Sequence, residues 1–204
     1  MPVRASIARR ARARERARED ILLASAGVFA RRGYASATLA DLAEAAGYAA
    51  PSLYRYFASK EEIFRSLVDL LVAEFSATFD APVDRALPLP TRLEALLRCQ
   101  YELARRRREI FGVLLADRGS DAPWPAAGRP IHDPGAGLEF YQQRLRAWLR
   151  RNAAPGELRF PATLSARAIA GTVFAFHPSR LARDLDPGER ARTVADLALH
   201  GVTP

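Results

Sequence analysis

The groups able to do chemistry in this chain gather between residues 50 and 60, Ala50-Pro-Ser-Leu-Tyr-Arg-Tyr-Phe-Ala-Ser-Lys60. Leu53 and Phe57, four apart, share one side of a helix and anchor it inward. Ser52, Tyr54, Arg55 and Tyr56 then point elsewhere, with an ammonium following at Lys60. Hydroxyls and cations of this kind suit phosphate oxygens, and the planar Arg fork fits the O6 and N7 acceptors of guanine. Ala50 offers at most an apolar contact to a thymine methyl. Covalent or metal chemistry has no such gathering. His132, His177, His200 and the single cysteine, Cys99, are scattered, and no HExxH, GxSxG, CxxC or Gly-rich phosphate loop occurs. His132-Asp133 reads as a surface pair. No catalytic residue, metal or cofactor is expected.

Two short helices must carry these groups. Leu39, Leu42, Ala43 and Ala46 make one apolar stripe, with Thr38 placed as its N-cap. Gly47 ends that helix by taking the left-handed conformation. Pro51 opens the second helix, where a missing N–H does no harm. Two short helices joined by a Gly turn, the second ending in aromatic and basic groups, fit a helix-turn-helix. A longer helix from Glu15 to Arg32 precedes them, burying Ile21, Leu22, Ser25, Val28 and Phe29 and ending at Gly33. A fourth follows from Ser59 to Phe79, with Ser59 and Glu62 in capping-box spacing and Ile63, Leu67, Leu70, Leu71 and Phe75 along one side. Residues 80–90 hold three prolines and end it.

The stretch resembles the TetR family of transcriptional regulators. Ile21-Leu22, Ala24, Phe29, Gly33-Tyr34, Thr38, Leu42-Ala43, Ala46-Gly47, Leu53-Tyr54, Tyr56-Phe57 and Ser59-Lys60-Glu61 fall on that family's N-terminal pattern without a gap. The chain departs from it after the turn glycine, where Tyr48 and Ala49 replace a small aliphatic residue and a capping Ser. The resemblance implies an all-α fold, with a three-helix DNA-binding head and a helical body for ligand binding and dimerisation. It also implies a homodimer joined by the last two helices, a DNA operator and a small effector, with no membrane partner. Thr38, Ser52, Tyr54, Tyr56 and Lys60 would mostly meet phosphates, Arg55 a base, and Ala50 and Pro51 would lie at the DNA-facing start of the second helix. Repression is the family's usual mode. The rival readings are an architectural DNA binder without an effector and, behind it, an enzyme.

Charge agrees with one nucleic-acid-binding end. The chain of 204 residues carries a formal +8. Residues 1–60 hold eleven basic and five acidic groups, +6 of that total, leaving +2 for the other 144. Lys60 is the only lysine. A lone cysteine excludes an intramolecular disulfide and points to a reducing compartment, so a cytoplasmic location is expected, without a secretion signal or membrane span. Four regions are expected: a flexible basic arm or frayed helix start over 1–14, the helix-turn-helix head over 15–60, a connecting helix over 61–80 and the body over 81–204. Body helices are expected over Thr91–Arg107, Glu109–Ala116, Gly137–Arg151, Pro161–Leu181 and Pro187–His200, with a long loop over 117–136. An effector pocket would be lined from Phe75, Phe79, Cys99, Leu103, Phe111, Trp124, Tyr141, Trp148, Phe174 and His177, whose character favours a largely apolar effector.

Overall fold

Alanine, arginine and glutamate dominate the first twenty residues, and all three favour helix. In the computed structural model, which describes residues 2–111, 134–176 and 186–199, helix α1 therefore runs Pro2–Ser36. Residues 2–14, expected as a flexible arm or a frayed helix start, are helical and continue α1. The helix bends at Gly33, which leaves helical geometry at φ 74° and ψ 164°, the end-point the sequence assigned to it. Ile21, Leu22, Ser25, Val28 and Phe29 are all buried.

Helices α2 (Leu39–Ala45), α3 (Ala50–Leu53) and α4 (Lys60–Thr78) follow. The head core forms where Phe29 meets Phe64 edge-on at 5.5 Å, with Tyr34 5.0 Å from Phe64. Leu42, Leu53, Phe57, Ile63 and Leu67 complete it and are at most 1% exposed. The chain divides into two compact units, residues 1–71 with 108–132, and residues 72–107 with 133–204. The division falls inside α4, within the stretch expected to connect head and body.

In the second unit, α5 (Leu89–Arg106) packs on α8 (Pro187–Leu199), α6 (Pro134–Asn152) on α7 (Ala162–Phe176), and α7 on α8. Trp148 sits at the centre, fully buried, in one cluster with Leu93, Leu97, Leu145, Leu149, Ile169 and Val194. Helix α5 starts two residues earlier than expected. Its N-cap is Pro88, which offers no side-chain cap. Glu157, distant in sequence, accepts from the Leu89 N–H at 3.2 Å instead. The same carboxylate pairs with Arg92, which is buried and also donates to the Asn152 carbonyl. Tertiary contacts of this kind leave no local sequence signal. Helix α6 starts at Pro134, earlier than Gly137. Residues 117–133, most of the expected loop, and the expected helix ends at 177–181 and 200 lie outside the described residues. Among the described residues there is no strand.

Candidate nucleic-acid interface

Thr38 caps α2 as its spacing predicts. Its Oγ1 accepts from the Asp41 N–H at 3.2 Å, and the Asp41 carboxylate accepts from the Thr38 N–H at 2.9 Å and hydroxyl at 2.8 Å. Those Thr38 bonds, chiefly the backbone one, hold the Asp41 carboxyl below its usual value, with Arg32 at 2.8 Å adding to the effect. At the other end Gly47 takes φ 74°. Its N–H reaches the Glu44 carbonyl and the Tyr48 N–H reaches Ala43, so both orphan carbonyls are satisfied. Ala49 caps α3 without a side-chain bond, and Pro51 lies in the first turn. The Tyr48 ring packs on Tyr56 with centroids 5.6 Å apart.

Helix α3 is only four residues long, but its turns continue. Tyr56 and Phe57 both donate to the Leu53 carbonyl. Leu53 and Phe57 are buried, so one side of the segment is fixed to the core. Tyr54 is 61% exposed, Arg55 is exposed, and Ser52 and Tyr56 are half-buried. The outward groups named from the sequence therefore share one solvent-facing segment. Pro51 is exposed beside them and Ala50 half-buried.

What holds this segment from behind comes from α1. Arg14 donates to the Arg55 carbonyl at 3.1 Å. Arg18 donates to the Tyr56 carbonyl, stands 3.3 Å from Glu62 and lies over the Phe57 ring at 4.0 Å. Neither arginine is among the site residues expected from the sequence. The available signal is the buried stripe, which continues backwards from Ser25 and Ile21 to Arg18 and Arg14 in steps of three and four. Ser59 caps α4 by accepting from the Glu62 N–H at 3.1 Å, while Glu62 returns to Ala58 rather than to Ser59.

Lys60 does more than expected. Its Nζ donates to the carbonyls of Tyr34 at 2.8 Å, Ala37 at 2.9 Å and Ala35 at 3.4 Å, and stands 4.4 Å from the Tyr34 ring centre. Three acceptors match the three protons of an ammonium. The side chain closes the end of α1 past Gly33, a positioning role in addition to the phosphate contact expected of it.

The body unit has an open depression of about 540 Å³. Ala77, Thr78 and Ala81 line one side and Cys99 and Leu103 the other, with Glu74, Arg106 and Arg107 adding charge. Of the residues expected to line a pocket, Cys99 and Leu103 do so here. Phe79, Tyr141 and Trp148 are instead sealed in the core, and Phe75 packs against it. Large aromatics bury the most apolar area, which favours the core for them. Phe111 belongs to the other unit. Trp124, His177 and the Phe174 side chain lie outside the described residues. A buried polar chain passes beside the depression. The Tyr141 hydroxyl donates to Gln100 at 2.9 Å, Gln100 donates to Thr78 at 3.3 Å, and Thr78 donates to the Phe75 carbonyl at 2.7 Å. Burial pushes the Tyr141 hydroxyl far above its usual pKa, so it stays a donor. Among the described residues no group of His, Cys, Asp and Glu could hold a metal, and no helix is long and apolar enough to cross a membrane.

Comparison with known proteins places these features. Residues 21–67 match the family model for bacterial regulatory proteins of the tetR family. The chain is 36% identical over 89 residues to the HTH-type transcriptional repressor KstR2 of Mycobacterium tuberculosis, covering 42% of each. Its matches span between 26% and 58% of the length of such curated relatives. Among solved structures, the TetR family transcriptional regulator PfmR of Thermus thermophilus superposes with a TM-score of 0.66 at 24% identity, covering 88% of this chain and 97% of that one. A complex of SmeT with triclosan, the repressor of a Stenotrophomonas maltophilia efflux pump, superposes with a TM-score of 0.65 at 23% identity over 92% of each chain.

Proposed function

From the match of residues 21–67 to the tetR-family model, we propose that the chain is a transcriptional regulator of that family which reads a palindromic operator as a homodimer and releases it on binding a small effector. The observation that carries this reading is the fixed, outward segment from Ala50 to Tyr56, anchored by Leu53 and Phe57 and braced by Arg14 and Arg18. Arg55 reads a base there. Tyr54, Tyr56, Ser52 and Thr38 set the head against phosphates, Pro51 starts the helix that faces the DNA, and Ala50 meets a thymine methyl.

One head reads few base pairs, so two heads on successive turns are needed for a selective site. The exposed Leu164 and Leu197, with Ala168 and Gly171 exposed on α7, support pairing of α7 and α8 with a second copy. SmeT binds triclosan; in this chain the depression by Cys99 and Leu103 supports a small effector whose body is apolar. Helix α4 begins at Lys60, which closes α1, and its last turns line that depression. An effector that prefers one position of α4 would change the spacing of the two heads and so lower operator affinity.

Selection of bound sequences from a random duplex pool at physiological salt tests the reading. Enrichment of one inverted repeat, its half-sites one turn or a simple multiple apart, is expected. Retention of DNA without any enriched sequence would overturn it in favour of an architectural binder held by backbone charge alone.

A further inference from the structure

The first part of α1 breaks the rules that normally stabilise a helix. Residues 6–14 hold Arg9, Arg10, Arg12 and Arg14 with no acidic residue, and the first turn of α1 has none either. Cations at a helix N-terminus oppose its dipole. Arg10, Arg14 and Arg18 are like charges at successive four-residue steps, which are mutually repulsive. No side chain from Ser6 to Asp20 is buried, so no core compensates. Arg9, Arg10 and Arg12 have no hydrogen-bond or ion-pair partner among the described residues. The stretch also precedes the family match, which begins at residue 21. Local rules broken together at one place mark a functional surface.

The faces of the helix tell the arginines apart. Arg10, Arg14 and Arg18 lie on one side, and Arg9, Arg12 and Arg16 nearly opposite. The first side is the one that docks on the head, because Arg14 reaches the Arg55 carbonyl and Arg18 the Tyr56 carbonyl. Arg10 stands one turn further out, about 6 Å along the helix. It therefore continues the row beside the exposed Tyr54 and Arg55. We infer that α1 before Ile21 is a rigid extension of the DNA-binding face, on which Arg10 and the donors Arg14 keeps free grip backbone phosphates flanking the bases read by α3. A guanidinium has five donors, so the one bond from Arg14 to Arg55 leaves it able to do so. Phosphates would relieve both the dipole conflict and the Arg–Arg repulsion.

This rests on the operator-reading function, and the test separates the two. The full chain and its Arg10→Ala and Arg12→Ala variants are titrated at several salt concentrations on a duplex carrying the selected repeat, and on bulk duplex. Both substituted side chains are exposed and unpartnered among the described residues, so both variants should fold, which far-UV circular dichroism checks. Arg10→Ala should flatten the slope of log affinity against log salt by about 0.9 for each head and leave the selected sequence unchanged. Arg12→Ala should change that slope by less than half as much. Equal changes in the two variants would overturn the inference, leaving only diffuse attraction. No change in either would overturn it too, placing the extension away from DNA. Absence of a selected repeat would instead sink the operator reading, while the Arg10–Arg12 contrast on bulk duplex would still decide this one.

Discussion

Replacing Lys60 with methionine separates a clamp from a phosphate ligand. The substitution keeps an unbranched apolar stem and removes the ammonium. Two carbonyl bonds, at 2.8 and 2.9 Å, are well formed, and the third, at 3.4 Å, is weak. Each bond from a charged donor contributes about 1.5–3 kcal/mol net when buried. The ammonium is only half-buried, so water can reach part of this site and each value falls toward the lower end. Loss of the contact to the Tyr34 ring, at 4.4 Å, adds roughly 0.5–1 kcal/mol. The head should therefore lose about 3 kcal/mol. In amide hydrogen exchange, protection of α2 and of the Leu53–Phe57 turn should fall about a hundredfold, if opening of the head governs exchange there. The salt slope of DNA binding, measured on the folded fraction, should be unchanged. Unaltered exchange with a slope reduced by about 0.9 per head would refute the clamp and leave Lys60 a phosphate ligand.

Arg55→Ala should cost about 1–3 kcal/mol of operator affinity and relax sequence preference at one position of each half-site, which selection from a random pool would reveal. In the body, Glu157→Ala leaves Arg92 buried without its carboxylate and α5 without its tertiary cap, and should destabilise the body by about 2–3 kcal/mol in urea unfolding. Adding Arg92→Met should restore part of that loss; a double variant no more stable than Glu157→Ala would show that the stranded charge is not the cause. Asp41 and Glu157 both titrate below their usual 3.8 and 4.5 because backbone N–H groups, chiefly those of Thr38 and Ala154, bond the charged form. Their contribution is present above those values and is lost as pH falls through the lower folded ones. The urea midpoint should thus drop between about pH 5 and pH 3, less steeply in Asp41→Asn and Glu157→Gln.

The sequence by itself determined the head. Thr38, Gly33, Gly47 and Ser59 act through bonds or backbone angles within a few residues, and Leu53 and Phe57 declare an inner side by spacing alone. For that reason the helix-turn-helix and its outward Tyr54 and Arg55 are legible in the order of residues. The lining of the depression proposed for an effector is not. Phe79, Tyr141 and Trp148 have the same apolar character whether they line a depression or fill a core, and only packing places them in the core while the half-buried Cys99 and the buried Leu103 border the depression. The same holds wherever partners are distant in sequence. Lys60 finds carbonyls more than twenty residues away, Glu157 caps a helix that begins at Leu89, and Arg14 and Arg18 reach the segment after α3. A charged side chain carries no local mark of the partner it will meet. The tertiary fold decided it, by bringing carbonyls and carboxylates left without local partners within reach of those cations.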